Sequence, residues 1–160
     1  MDYRELMEKI GEVLGIGALA PDADGYCNLS IDGTVVTFAE RSERGLLDIV
    51  ARICDLPAEN AERVMNVLMT AMAPGNEAED YSFFVTGEDE GLYLRRTERL
   101  ADLDVEGVRR ALEVFANALD EWRASITEFQ SVLPVVKEEL AHREEETRSF
   151  GLGEQGFMQV

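Results

Sequence analysis

The chain has 160 residues and a formal net charge of −18, from 15 Lys and Arg against 33 Asp and Glu. That length suits one domain, which buries about 70% of the surface its unfolded chain exposes and needs no covalent staple. The scarcity of cations excludes a nucleic-acid binder, which needs clustered Lys and Arg, and disfavours an anionic membrane surface; a partner with a basic or amphipathic exposed segment fits the charge better.

The first residues, MDYRELMEKIGEVLG, predict an amphipathic helix. Leu6, Ile10, Val13 and Leu14 recur at helical spacing with Met7 beside them. Charge runs through the whole stretch, so it does not read as a signal peptide. No apolar run approaches the roughly 18 residues a membrane span needs, and a cytoplasmic protein without membrane insertion is expected. Gly15 and Gly17 stop the helix.

The stretch PDADGYCNLSIDG, residues 21–33, packs three aspartates and two glycines into one loop and strand. A calcium loop of the EF-hand kind wants acids at positions 1, 3 and 5, Gly at 6 and Glu at 12. With Gly25 at position 6, Asp22 and Asp24 fit, but position 1 is Ala20 and position 12 is Ile31. Two turns around a strand explain it better. Asp24-Gly25 leads into residues 26–31, where Cys27, Leu29 and Ile31 alternate with Asn28 and Ser30. Asp32-Gly33 is a hairpin turn into Val35–Phe38. Arg41–Gly45 is a further turn, and LLDIVARIC, residues 46–54, reads as a third strand, with a short helix as the alternative.

Leu56-Pro57 ends that run. A helix is predicted over 58–72, lined by Ala61, Val64, Met65, Leu68 and Met72. Strands over 81–86 and 92–96 follow, joined by an acidic turn. Asp104 caps a long helix running towards Ser131, with Val105, Val108, Leu112, Phe115, Leu119 and Trp122 as its core stripe. Pro134 is expected to break or kink it. A Glu-rich helical piece follows, then a loose Gly-rich end. The order α-β-β-β-α-β-β-α predicts an α+β fold: three main helices and a mainly antiparallel five-stranded sheet. The expected division is a domain over 1–133 and an extension over 134–160.

Catalytic and metal constellations are thin. The single histidine, His142, sits in the charged run AHREEE and reads as a solvated face. Two cysteines, Cys27 and Cys54, read as free buried thiols and do not make a zinc site. GIGALA follows a helix and lacks the third glycine of a phosphate loop, and no nucleophile elbow is present. An enzyme built on scattered carboxylates remains a reading, and it requires a deep pocket holding a carboxylate of raised pKa.

Ordered local motifs point elsewhere. Leu14-Gly15 ends the first helix. Asp22-Ala23-Asp24-Gly25-Tyr26-Cys27 leads into a strand, Ile31-Asp32-Gly33 makes a hairpin, and Leu56-Pro57 precedes the middle helix. In this combination, over about residues 2–130, the chain resembles the small class I type III secretion chaperones, the Tir-chaperone group. It departs from them at Val67-Leu68-Met69-Thr70-Ala71-Met72, which lacks an Asn common there, at Asp55, where a glycine is often found, and in its longer tail. The resemblance implies a homodimer without enzymatic activity or cofactor. It would hold a non-globular segment near the N-terminus of a secreted effector, keeping it soluble and export-competent. On that reading Val35, Thr37, Val50, Phe84 and Tyr93 lie on the sheet face offered to the partner. Leu6 and Ile10 border the groove, and Val64, Leu68 and Met72 form the dimer seam. A regulatory or adaptor domain that binds a folded partner is the alternative on the same fold.

Overall fold

A computed structural model describes residues 2–76, 80–87 and 89–151, of which 132–151 are described by backbone alone. The elements are α1 (Tyr3–Val13), β1 (Tyr26–Ile31), β2 (Thr34–Arg41), β3 (Leu46–Asp55), α2 (Ala61–Ala71), β4 (Tyr81–Val85), β5 (Gly91–Arg99) and α3 (Val105–Gly151). The expected α+β order is the one observed. All pairings are antiparallel, and the five strands lie in the order β1-β2-β3-β5-β4. Two compact units divide the chain, Met1–Arg123 and Ala124–Val160. Of the Gly-rich end expected over 149–160, the first three residues are the last of α3 and the rest lies outside the described residues.

The turns form where the sequence provides for positive φ. Asp32 and Gly33 take φ of 47° and 80° between β1 and β2, which suits the right-handed twist of a tight hairpin. Asp22 faces the backbone of its own turn. Its carboxylate accepts from the backbone N–H of Asp24 at 3.0 Å and of Tyr26 at 2.8 Å, and Gly25 turns the chain at φ 86°. The calcium-like pattern is thus an Asx turn leading into β1.

One sheet face is the core. Cys27, Leu29, Val36, Phe38, Leu47, Ile49, Ala51, Phe83, Leu92 and Leu94 are buried on it. From α1, Tyr3, Leu6, Met7 and Ile10 are buried, and the Tyr3 hydroxyl donates to the Phe38 carbonyl at 2.9 Å. From α3, Val108, Leu112, Phe115 and Leu119 are buried, and Trp122 meets Phe83 edge-on at 4.9 Å. Val13 and Leu14, at the end of the α1 stripe, are exposed, because the helix stops there.

A register shift between Arg52 and Cys54 makes a bulge in β3. A bulge disrupts the ladder locally and leaves carbonyls to satisfy. Arg123 reaches it from α3: Nη2 donates to the Arg52 carbonyl at 2.7 Å, Nε to the Ile53 carbonyl at 3.2 Å and Nη1 to Thr34 Oγ1 at 3.0 Å.

Strands β2 and β5 run past their expected ends, to Arg41 and Arg99, and two helix boundaries also differ from expectation. α2 begins at Ala61 rather than near Ala58, because Asn60 takes a left-handed φ of 70°. α3 does not break at Pro134 but stays helical to Gly151. A proline inside a helix gives up one backbone hydrogen bond, and the strong helix formers on either side carry the helix past the gap. The expected cap does form: Asp104 Oδ1 accepts from the Gly107 N–H at 2.7 Å. Asp104→Ala should therefore cost about 1 kcal/mol, read as a lower urea midpoint at unchanged slope.

Candidate functional site

The buried residues of α1 and of α3 up to Leu119 belong to the core on one side of the sheet, and the other face is free of them. Strand alternation fixes which residues lie there. Asn28, Thr37, Val50, Arg95 and Ser82 are paired in one row across all five strands. Val35 lies on the same face, 55% exposed. Phe84 and Tyr93 pair directly and stack at 5.4 Å with 16° between their rings. Val35, Thr37, Val50, Phe84 and Tyr93 therefore share one face.

The helical candidates sit differently. Leu6 and Ile10 are buried in the core at 1% and 4% exposure. Val64 and Leu68 are likewise buried within the protomer, while Met72 is half-buried and its sulfur accepts from the Phe83 N–H at 3.3 Å. The large apolar residues that α2 leaves in the open are Val67 and Met69. Val67 helps line a shallow hollow of about 600 Å³, with Asn66, Thr70, Ala71, Gly75 and Asn76.

Polar groups on the open face are organised. Asp48, buried although charged, accepts from Arg41 at 2.8 Å and from the Thr97 hydroxyl at 2.6 Å. Thr37 donates to Asn28 at 2.7 Å. Arg52 pairs with Asp55 and lies 3.5 Å from Asp89. The sequence reading missed Arg95, which lies on this face beside Phe84. Its signal was available: counting in twos from Tyr93 reaches Arg95.

Asp89 closes the turn between β4 and β5. It accepts from the hydroxyls of Thr86 and Tyr93 and from the Gly91 N–H. These bonds, the Thr86 bond foremost, hold its carboxyl down to about 2. The bond to Asp89 in turn raises the Tyr93 phenol. Since the folded value lies below the unfolded one, the contribution to stability is complete at neutral pH. It fades as pH falls below about 4 and is lost below about 2. The Asp89 carboxyl resonance should titrate near pH 2, and Thr86→Val should move that midpoint towards 3.8.

The thiols offer no reactive centre. Cys27 and Cys54 are both free, and desolvation raises both above the usual thiol range. Among the described residues no helix is long and apolar enough to cross a membrane.

Comparison with known proteins agrees with this architecture. None of the curated proteins matches the chain. A chain of the HopA1–SchA chaperone–effector complex is similar over 76% of this chain and 93% of its own, at 15% identity and a TM-score of 0.63. A chain of the ExsC–ExsE complex is similar over 78% and 96%, at 19% identity and a TM-score of 0.66. The Yersinia pestis complex of the type III secretion chaperone SycH with a fragment of YscM2 gives 75% and 98%, at 16% identity and a TM-score of 0.58. These likenesses concern the fold. The model of the Tir chaperone protein (CesT) family matches residues 5–123, most of the chain, and the protein belongs to that family.

Proposed function

We propose that this protein is a type III secretion chaperone. It binds a non-globular N-terminal segment of a secreted effector in the cytoplasm and keeps it soluble and export-competent, without catalysis or a cofactor. The observation that carries this reading is the open sheet face, where Val35, Val50, Phe84 and Tyr93 lie together with polar groups around them. An extended chain laid on such a face gains contact along its whole length, which offsets the cost of ordering it. Membership of the family and the effector complexes among the similar folds support it.

The chain would act as a homodimer. The α2 side supports this, with Val67 exposed at a hollow and Met69 exposed on the same helix. The buried Val64 and Leu68 and the half-buried Met72 would back that seam rather than touch the second copy. Leu6 and Ile10 would likewise support the groove from beneath. Residues 1–133 form the chaperone domain on this reading, and 134–160 an extension to it.

The test is a tagged pull-down from the native host, with mass spectrometry and light scattering of the product. One effector on two copies of this chain, its N-terminal region protected from protease, is the expected result. A monomer that captures only a folded partner, leaving no unstructured segment protected, would favour the adaptor reading instead.

A further inference from the structure

The charge of the open face runs against the charge of the chain. Although the protein carries a net charge of −18, Arg41, Arg52, Arg95 and Arg99 all lie on this one face. Arg41 is matched by Asp48, and Arg52 by Asp55 and Asp89. Arg95 is not: among the described residues it makes no ion pair, and its Nε, like those of Arg41 and Arg52, is buried with no hydrogen-bond partner. The guanidinium lies 5.7 Å over the Phe84 ring, which in turn stacks on Tyr93.

We propose that the segment held on this face is acidic, and that Arg95 anchors it by receiving a carboxylate beside the apolar ground of Val50, Phe84 and Tyr93. The inference rests on the chaperone reading and adds the chemistry of the bound segment. A buried donor without an acceptor is unfavourable, and a carboxylate relieves it by accepting from the guanidinium fork in two parallel bonds. The Phe84 ring beneath the guanidinium favours this placement of the fork, which reduces the side-chain freedom lost on binding. Tyr93 and Arg95 are two positions apart on β5 and therefore on one face. An extended partner repeats the same spacing, so the fitting pattern is an acid with a large apolar residue two positions away. The net negative charge of the chain disfavours such a segment as a whole, and the unpaired Arg95 offsets that locally.

The test uses the full chain, isotope-labelled, and three 12-residue peptides: Ser-Glu-Ser-Leu repeated three times, and the same sequence with Gln or Lys for Glu. The Glu peptide should shift the amides of Val50, Phe84 and Arg95. It should bind about tenfold more tightly than the Gln peptide at about 25 mM salt and lose that advantage as salt screens the pair. Arg95→Gln should bring the two to equal affinity with the rest of the amide spectrum unchanged, and Arg95→Lys, which keeps the charge but loses the fork, should fall between. If the Gln or Lys peptide occupies the same amides as tightly as the Glu peptide, the acidic preference is overturned and the chaperone reading stands. If no peptide moves these amides while an effector still co-purifies, the use of this face is overturned and the binding surface lies elsewhere.

Discussion

Gly11→Ala should destabilise the protein by about 3 kcal/mol, although alanine is the better helix former. Gly11 lies inside α1, where the substitution would ordinarily gain about 1 kcal/mol. Here the chain after the helix folds straight back over it. The Ile16 N–H donates to the Gly11 carbonyl at 3.1 Å. A Cβ at Gly11 would lie 2.1 Å from the Gly17 carbonyl oxygen and 2.7 Å from the Leu19 nitrogen. Both are backbone atoms, so no rotamer change relieves the overlap. Gly15 provides the contrast: it takes φ +69° with nothing near its Cβ position, and Gly15→Ala should cost only about 1 kcal/mol, for left-handed backbone alone. Urea unfolding of the two variants separates a steric cause from a conformational one. Equal, small losses would mean that the loop over Gly11 yields freely and does not fix the end of α1.

Gly11 also marks the limit of what the sequence made legible. Gly15 and Gly17 were readable as helix stops because they follow the last apolar position of the stripe. A glycine inside the stripe reads as a mild defect, and only the return of the loop explains it. Local pattern served the sheet well for a related reason. Alternation from Cys27 to Ile31 and the Asp32-Gly33 turn define the register of the first hairpin, and that register carries Val35 and Thr37 to the open face. The helices were harder. Val64 and Leu68 stand on an apolar stripe, and a stripe does not say whether it meets its own sheet or a second copy; here it meets its own core. The cationic side of the open face stayed hidden because net charge was read as a whole-chain property. The four arginines are scattered from 41 to 99 and meet only once β2, β3 and β5 lie side by side.

The second large effect is expected at the aromatic pair. Phe84→Ala with Tyr93→Ala should weaken binding of the co-purified effector segment by about 100-fold, the size expected when aromatic anchors are truncated at the centre of an interface. Both rings are only half-buried and lie off the core face, so the fold should survive their loss. Tyr93→Phe keeps the stack and gives up only the hydroxyl bond to Asp89 at 2.6 Å. That variant should bind close to the parent, which distinguishes contact area from hydrogen bonding. Calorimetry with the isolated segment measures the loss, and light scattering checks that the assembly mass is unchanged. A double variant that binds normally would remove the aromatic pair from the interface and shift attention to the Val35 end of the face. A variant that loses both binding and assembly mass would mean that this face also holds the two copies together. The proposed division between a binding face on the sheet and a seam on α2 would then fail, because one surface would be serving both contacts.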